Sequence, residues 1–346
     1  MRAAVLHAVK DLRTENAANP IMKPGEVLLR IRASGICGSD IPRVFQKGTY
    51  HFPTIPGHEF SGEIVDAFDS EQKELIGRKA SVFPLLPCFE CRSCEVGEYA
   101  QCENYNYFGS RCDGGFAEYI SVPLWNVVLL PDDINLEEAA MCEPAAVALH
   151  AVGKASLHVG DTVVIYGAGT IGLIAAMWCE INGAGRVILA DIDGKKLEFA
   201  AKLGFSDTFN SIEEDIPKRV NELTGNRGAD ACIDCAGVAS AVEGCLNAVK
   251  NGGRVVAMGN PAGDMLLHQK DYWQILRKEL TLAGTWNSSY NAAKNDWRNV
   301  VQAIAGHKLS LKPLITHRFG LEQAKEAFDL FKNRNELAVK VMFIND

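Results

Sequence analysis

The sequence predicts an α/β protein in which a mostly β domain accompanies a doubly wound parallel sheet. Short alternating segments, punctuated by Gly and Pro, fill the first 66 residues and are typical of β-strands. From about Gly160, strand patterns alternate with helical patterns, as in a parallel sheet with helices on both faces. The glycine-rich loop at residues 167–172 connects the first strand of that region to a helix.

The composition is that of an ordinary globular protein and argues against several functional classes. The 346 residues suffice for two domains, with 47% apolar and 23% charged residues. A net charge of −8 and the absence of a Lys/Arg run argue against nucleic-acid binding. The sequence contains no apolar run of about 18 residues, so no membrane span is predicted. Eleven cysteines and an N-terminus without a long apolar region indicate a cytoplasmic protein with metal ligands and buried free thiols.

The strongest local signal is a cluster of four cysteines, Cys88, Cys91, Cys94 and Cys102. Thiolates at these spacings can close a tetrahedral shell around one zinc ion, and such closed shells are structural because no position remains for substrate. An iron–sulfur cluster is the main alternative, but the Cys-Pro dipeptide of the ferredoxin pattern is missing. Unmetallated thiols are the other alternative. We therefore predict a structural zinc lobe over residues 88–102.

Periodicity places secondary structure along the chain. In the β region, strands are predicted at residues 27–34 and 60–65, and an Ala-rich helical stretch covers residues 137–150. In the alternating region, strands are predicted at residues 162–166, 186–190, 229–234, 254–258 and 280–283, with a weak one at 208–209. Helices there include residues 171–181 and 195–203, and a last strand covers residues 338–343.

The loop Gly167-Ala168-Gly169-Thr170-Ile171-Gly172 matches the Gly-x-Gly-x-x-Gly pattern of dinucleotide-binding folds. The first two glycines let the backbone approach a pyrophosphate, Gly172 allows close packing, and the helix start at Thr170 and Ile171 supplies N–H donors. The next strand ends in Asp191, which can accept hydrogen bonds from the ribose hydroxyls and would repel a 2′-phosphate. The sequence therefore predicts NAD rather than NADP.

Cys37 and His58 form the candidate reactive site, because a thiolate and an imidazole are good zinc ligands. A hydride-transfer cofactor needs a group that polarises the alcohol, and catalytic zinc usually has three protein ligands. Glu143 is the predicted third ligand, because an unpaired carboxylate would be costly in its apolar stretch. Glu59 is the competitor. Adjacent strand residues face opposite sides, so His58 and Glu59 can share a metal only where the backbone is irregular.

These motifs occur in the order found in zinc-dependent medium-chain dehydrogenases, which the sequence resembles over most of its length. The segments that carry the resemblance are residues 37–40, 57–62, 88–102, 114–119, 143–144 and 167–172. Within this family the chain is most similar to the polyol branch, which includes sorbitol and threonine dehydrogenases. Residues 39–43, 84–88 and 108–111 resemble the dehydrogenases of galactitol 1-phosphate in particular.

The resemblance implies a GroES-like catalytic domain at residues 1–150, a Rossmann NAD-binding domain at 151–286, and a return to the catalytic domain at 287–346. It implies NAD, one catalytic and one structural zinc, and a homodimer or homotetramer joined through the edge of the Rossmann sheet. The implied reaction is the oxidation of a secondary alcohol, in a sugar alcohol or its phosphate, to the ketose. The substrate proton is expected to leave through Ser39.

One departure from the family pattern concerns the onward proton route. Many relatives carry a His a few residues past the Ser, whereas Pro42 stands in that region here and cannot titrate. The proton is therefore expected to leave Ser39 through ribose hydroxyls, water or His51.

The substrate itself is less well defined by the sequence. A phosphate group would need cationic donors, for which Arg43, Lys47 and Arg111 are candidates, and Trp286 is a candidate substrate contact. Sorbitol, xylitol, threonine and butanediol remain alternative substrates, because pocket residues lie in loops that short motifs do not cover. A non-catalytic NAD-binding scaffold is the alternative from another class, and no nucleic-acid or membrane partner is expected.

Overall fold

The computed structural model describes residues 1–261, 263–333 and 336–345, and the chain divides into two compact units, residues 1–144 with 289–346 and residues 145–288. The strands are β1 (Arg2–Ala8), β2 (Asp11–Asn16), β3 (Glu26–Gly35), β4 (Glu59–Ala67), β5 (Lys79–Val82), β6 (Leu85–Leu86), β7 (Asn106–Tyr107), β8 (Tyr119–Pro123), β9 (Val127–Leu129), β10 (Thr162–Tyr166), β11 (Arg186–Asp191), β12 (Asp207–Asn210), β13 (Ala229–Asp234), β14 (Val249–Ala257), β15 (Thr281–Gly284), β16 (Ile315–Phe319) and β17 (Lys340–Ile344). The α-helices are α1 (Asp40–Pro42), α2 (Arg92–Glu95), α3 (Leu136–Ala140), α4 (Cys142–Ala155), α5 (Thr170–Ile181), α6 (Gly194–Lys202), α7 (Ile216–Thr224), α8 (Ala239–Ala248), α9 (Gln269–Arg277), α10 (Asp296–Ala305) and α11 (Ala324–Asn333). None of the helices in the described ranges combines the length and the apolar character that crossing a bilayer requires.

A seven-stranded sheet forms the centre of the first unit. Its strands follow the order β16-β17-β3-β4-β5-β9, with β8 also paired to β3. All these pairs are antiparallel except β16 with β17. Alternate residues of β3 (Val27, Leu29 and Ile31) are fully buried in the core, as expected for a strand with one apolar face. Because β17 pairs with β3, segments about 300 residues apart in the chain contribute strands to the same sheet.

A six-stranded parallel sheet forms the centre of the second unit. The strand order is β12-β11-β10-β13-β14-β15, and each neighbouring pair is parallel. The central strands β10 and β13 are mostly buried, because helices cover both faces of a parallel sheet. This is the doubly wound order of dinucleotide-binding domains, with β10 at the point where the order reverses. The predicted fold class is confirmed.

The Ala-rich stretch at residues 137–150 differs from the prediction of one continuous helical segment. Two helices, α3 and α4, meet at Met141, which caps α3 outside the helical conformation. The cause is Pro144: a proline lacks the N–H for a helical hydrogen bond, and its ring clashes with the carbonyl four residues earlier. The break places Glu143 in the first turn of α4.

Candidate active site

The turn after β3 holds Cys37 through its backbone and its side chain. The Cys37 N–H donates to Asp40 Oδ2 (3.0 Å), and Ser39 Oγ donates to Cys37 Sγ (3.3 Å). Arg43 Nη1 donates to Ser39 Oγ (3.1 Å) and to Asp40 Oδ1 (2.8 Å). Burial alone would raise the pKa of Asp40, but the charges of His58 and Arg43 outweigh burial and lower this pKa to about 2. Asp40 therefore stays ionised at neutral pH and fixes the turn.

His58 and Glu59 are both buried where the chain enters β4. Ligand atoms of Cys37, His58 and Glu59 all lie within 4.8 Å of one another. His58 precedes the strand, and Gly57 before it has a φ of 96°, so the strict alternation of strand side chains does not separate His58 from Glu59. The backbone irregularity required for the two residues to approach one metal is therefore present.

The three converging residues fit a zinc ion. They offer one sulfur, one nitrogen and one oxygen, a donor set that zinc accepts, and catalytic sites use three protein ligands and keep one open position. His58 Nδ1 is buried, lies 3.5 Å from Asp40 Oδ1, and has no hydrogen-bond partner among the described residues. Buried polar atoms rarely lack a hydrogen-bond partner. Histidines that bind a metal usually have a carboxylate beside the ring, so the position of His58 next to Asp40 is the position expected of a metal ligand.

Glu143 is buried close to this group but is not one of its three members. Its Oε1 accepts a hydrogen bond from Tyr107 Oη (3.2 Å), and the Tyr107 ring lies 5.7 Å from the His58 ring. Burial raises the pKa of Glu143 to about 7, and the opposing charges of His58 and Lys340 only partly offset burial. The structure thus brings Glu59 into the converged group, where the sequence favoured Glu143. Tyr107 is a residue of this site that sequence reasoning missed.

Sequence reasoning also missed a buried ion pair between Lys340 and Glu59. Lys340 Nζ donates to Glu59 Oε2 (2.5 Å) and to the Ile36 carbonyl (3.1 Å). The pair forms because β17 and β4 flank β3, and Gly35 on β3 leaves the space, since a Cβ there would collide with the Glu59 carboxylate. A single lysine inside the apolar strand predicted at residues 338–343 was the sequence feature that could have revealed this ion pair, because a fully buried lysine needs a partner.

In zinc-free protein, Lys340→Met is expected to cost about 3–5 kcal/mol of stability, because Glu59 would keep a buried charge without its partner. The free energy of unfolding in urea measures the loss. Lys250→Met is the matched control: Lys250 pairs with Asp230 but its side chain is 42% exposed, against 2% for Lys340. Exposed pairs contribute about 0–1 kcal/mol. Equal losses of unfolding free energy in the two variants would show that the buried pair contributes no more to stability than the exposed pair.

The four cysteines of the lobe converge at a second position in the same unit. The Sγ–Sγ distances are 3.6 Å for Cys91–Cys94, 3.5 Å for Cys88–Cys102 and 4.0 Å for Cys88–Cys94. Four sulfurs at about 2.3 Å from one tetrahedral zinc would be about 3.8 Å apart. The cluster therefore has the dimensions of a closed structural zinc site.

Aromatic packing attaches this lobe to the sheet of its unit. Trp125, between β8 and β9, meets the rings of Phe89 and Tyr99 edge to face at 4.9 and 5.1 Å. Asn291 Nδ2 also donates to the Gly97 carbonyl (2.9 Å). The lobe is thus positioned by packing and hydrogen bonds in addition to any metal.

In the second unit, the loop at residues 167–172 joins β10 to α5. Gly167 has a φ of 105°, and a Cβ on Gly172 would collide with the Gly167 carbonyl oxygen, so both positions require glycine. Asp191, at the end of β11, is buried, and its Oδ2 accepts a hydrogen bond from the Ala168 N–H (2.7 Å). The acidic residue predicted to contact ribose therefore lies directly beside the glycine loop.

The start of α5 completes the candidate dinucleotide site. Gly169 is the N-cap residue, and Thr170 and Ile171 are the first helical residues. The N–H groups of a helix's first turn have no acceptor within the helix, and the helix dipole favours an anion there. A pyrophosphate is the group that such a glycine-rich helix start can bind.

Three of the four candidate substrate residues, Arg43, Lys47 and Trp286, differ from one another in their exposure and their contacts. Arg43 is half-buried and engaged with Ser39 and Asp40. Lys47 is exposed at the end of a π-helical segment (Arg43–Lys47). Trp286 is exposed two residues after β15 in the second unit.

The fourth candidate, Arg111, is held between two aromatic rings. Its guanidinium lies 4.2 Å from the Tyr50 ring centroid and 4.4 Å from that of Tyr105, and its Nη2 donates to Tyr50 Oη (3.2 Å). The Arg111 N–H donates to the Tyr107 carbonyl (2.9 Å), and His51 Nε2 donates to the Arg111 carbonyl (3.2 Å). Arg111 therefore belongs to the same tight turn as Tyr107, whose hydroxyl contacts Glu143.

Comparison of the sequence and the structure with known proteins identifies the family of this chain. A family model described as zinc-binding dehydrogenase matches residues 170–306, and one described as alcohol dehydrogenase GroES-like domain matches residues 23–132. Galactitol 1-phosphate 5-dehydrogenase of Escherichia coli strain K12 is 39% identical over 95% of each chain, and sorbitol dehydrogenase of Bacillus subtilis is 30% identical over 99% of this chain and 96% of its own. The crystal structure of galactitol-1-phosphate dehydrogenase from Escherichia coli matches over 100% of both chains, with a TM-score of 0.93 and 38% identity. This chain therefore belongs to the zinc-binding dehydrogenase family.

Proposed function

We propose that this protein oxidises a secondary alcohol of a sugar-alcohol phosphate, of the galactitol 1-phosphate type, to the ketose with NAD. The convergence of Cys37, His58 and Glu59 beside Ser39 is the observation that carries the proposal. The likeness to galactitol 1-phosphate 5-dehydrogenase supports the substrate class. In this proposal residues 1–150 and 287–346 are the catalytic domain, and residues 151–286 are the NAD-binding domain.

The residues of the site would divide the chemistry between them. Held by Cys37, His58 and Glu59, zinc would act as a Lewis acid that polarises the substrate hydroxyl. Ser39 would accept the hydroxyl proton while releasing its own to ribose hydroxyls, water or His51, because its Oγ is fixed next to the ligand group by Arg43 and Cys37. Arg43 positions Ser39 but cannot take the proton, since a guanidinium has five donors and no acceptor. The onward proton route therefore bypasses Arg43.

NAD is favoured over NADP by the surroundings of Asp191. Its carboxylate is buried beside the glycine loop, where it would accept ribose hydroxyls and repel a 2′-phosphate. Lys196 Nζ lies 3.6 Å from Asp191 Oδ2 and offsets that charge only in part. Steady-state kinetics with the two cofactors measures the preference, and a higher kcat/KM with NADP would contradict it.

Arg111 is the best candidate for recognising the substrate phosphate. Its guanidinium is already ordered by Tyr50 and Tyr105, so little side-chain entropy remains to be lost on binding. A planar guanidinium also offers paired N–H groups that match phosphate oxygens. Arg43 is engaged with Asp40 and Ser39, and Lys47 is not ordered by comparable contacts in the described structure.

The test is a kinetic comparison of galactitol 1-phosphate with galactitol, using NAD. We expect a strong preference for the phosphate ester. Arg111→Gln is expected to lower kcat/KM for the ester by about 10- to 100-fold, the equivalent of a hydrogen bond to a charged group, and to leave galactitol unaffected. Lys47→Gln is the matched control and should change neither constant by more than about twofold, because an exposed lysine gains little from a fixed partner.

The outcomes of this comparison separate the alternatives. Equal constants for the ester and the free polyol would remove the phosphate assignment and leave a polyol dehydrogenase of the sorbitol type. Turnover of threonine or butanediol alone would change the substrate class. A zinc-loaded protein inactive on all of these substrates would support a non-catalytic NAD-binding scaffold.

We also propose that the protein is a homodimer or homotetramer joined through β15. This strand is the last in the order of the parallel sheet, and its Leu282 is 47% exposed. An apolar edge strand is a template for pairing with a second copy. Leu282→Glu should therefore shift the protein towards monomer in light scattering, whereas Val159→Glu, at a position that is 91% exposed away from β15, should not. Identical masses of the two variants would contradict this interface.

A further inference from the structure

A third group of metal-ligand side chains lies outside both sites already described, on the helices of the second unit. It consists of Glu243 on α8, His268 at the N-cap of α9 and Asp271 within the first turn of α9. Ligand atoms of these three residues all lie within 4.8 Å of one another. Neither the dinucleotide loop nor the Cys37 group includes any of them.

Asp271 supplies the observation that points to a ligand. The residue is only 2% exposed, and its Oδ1 accepts a hydrogen bond from Asn247 Nδ2 (2.7 Å). Its Oδ2 is buried and has no hydrogen-bond partner among the described residues. A buried carboxylate oxygen without a partner is costly. This oxygen lies 3.8 Å from His268 Nδ1 and is therefore directed into the group.

The other two ligands are already in contact with each other. His268 Nδ1 lies 2.6 Å from Glu243 Oε1, while the imidazole ring itself is exposed. A proton shared by this nitrogen and this oxygen occupies the position that a cation could take. Two ligands at about 2.0–2.1 Å from a tetrahedral zinc are about 3.3 Å apart, so the exposed imidazole would have to move by well under 1 Å.

We propose that Glu243, His268 and Asp271 bind a divalent transition-metal ion, with Zn²⁺ as the best match. One imidazole and two carboxylates are ligands that zinc accepts, whereas Mg²⁺ and Ca²⁺ prefer oxygen alone. Asn247 acts as a positioning residue: its Nδ2 donates both to Asp271 Oδ1 and to the Glu243 carbonyl (2.8 Å). Hydrogen bonds of this kind orient carboxylate ligands at metal sites.

The ion would tie two helices together. Glu243 lies on α8 and the other two ligands lie at the start of α9, so a bound ion joins the two elements at one point. A ligand that binds only the folded state stabilises it in proportion to the logarithm of its concentration. Added zinc should therefore raise the melting temperature of the protein through this group.

The test counts zinc-binding equivalents in protein whose other sites are already filled. Wild-type enzyme is loaded with two equivalents of zinc per chain, gel-filtered, and then titrated with ZnCl₂ by isothermal calorimetry. We expect one further equivalent per chain in the wild type and its loss in His268→Gln and in Asp271→Asn. Glu243→Gln should weaken the same binding step, and it provides a surface variant should Asp271→Asn fold poorly.

His158→Gln is the matched control. His158 makes a similar approach to a carboxylate three residues ahead, with Nδ1 3.7 Å from Asp161 Oδ2. The described residues bring no third ligand atom to that pair. This variant should keep the additional equivalent and the zinc-dependent rise in melting temperature, both of which His268→Gln should lose.

Two results would overturn the proposal. One is an equal number of zinc equivalents in wild type and His268→Gln, which would leave Glu243, His268 and Asp271 as a helix-capping ion-pair network. The other is a loss of the additional equivalent in His158→Gln, which would indicate nonspecific binding to surface imidazoles. Neither readout depends on turnover, so the metal site and the proposed dehydrogenase activity can fail separately.

Discussion

Cys37→Ser is expected to remove the zinc of the proposed catalytic site and to lower kcat by about 10³-fold or more. Lewis-acid polarisation supplies several kcal/mol of charge stabilisation, and about 1.4 kcal/mol corresponds to a factor of ten in rate. Initial rates with NAD and the preferred polyol give the loss of activity. Zinc content by mass spectrometry should fall by one equivalent, with the zinc of the four-cysteine lobe retained.

Glu143→Gln is the matched control for this prediction. Glu143 lies beside the converged group but outside it, so the variant is expected to keep its zinc. Loss of zinc from Glu143→Gln to the same extent as from Cys37→Ser would make Glu143 a ligand, as the sequence alone suggested. Full activity in Cys37→Ser would overturn the proposed site altogether.

Cys94→Ser is expected to have the largest effect on stability, and the effect should be local. Structural zinc binds with an apparent free energy of about 10–16 kcal/mol in small metal-dependent domains, and that energy is also folding energy. Cys94 is buried among the other three sulfurs, so its replacement breaks the closed shell. We expect the loss of one zinc equivalent and rapid cleavage within residues 88–102 in limited proteolysis.

Cys112→Ser serves as the control for that experiment. Cys112 is a half-buried thiol outside the four-cysteine cluster, and burial raises its pKa to about 12, so it is neither a ligand nor a reactive thiolate. The variant should keep its zinc and resist the protease as the wild type does. Unchanged zinc content and unchanged proteolysis in Cys94→Ser would mean that packing around Trp125, not metal, holds the lobe.

The features that sequence reasoning could predict are those written within a short stretch of chain. The four cysteines of the lobe lie within fifteen residues, and the glycine loop is a contiguous hexapeptide between a strand and a helix. The strand at residues 162–166 was predicted with its observed bounds, because an apolar run before a glycine turn has few other interpretations. Local spacing therefore carries both the lobe and the cofactor loop.

The features that sequence reasoning could not predict depend on contacts between strands of the sheet. Lys340 and Glu59 are 281 residues apart, and they meet only because β17 and β4 occupy the two sides of β3. The approach of Glu59 to His58 and Cys37 likewise depends on the irregular backbone at Gly57, a conformation that the sequence pattern does not specify. Strand order and local backbone angles, not residue type, decide these points.

The position of Lys340 also bears on how the protein is made. Glu59 and the turn around Cys37 leave the ribosome before β17, which carries the buried counter-charge of Glu59 281 residues further along the chain. Until β17 emerges, Glu59 lacks its lysine partner, and burial of its charge is less favourable. The addition of β17, rather than the folding of the strands around Glu59 alone, is what completes the buried charge pair of this site.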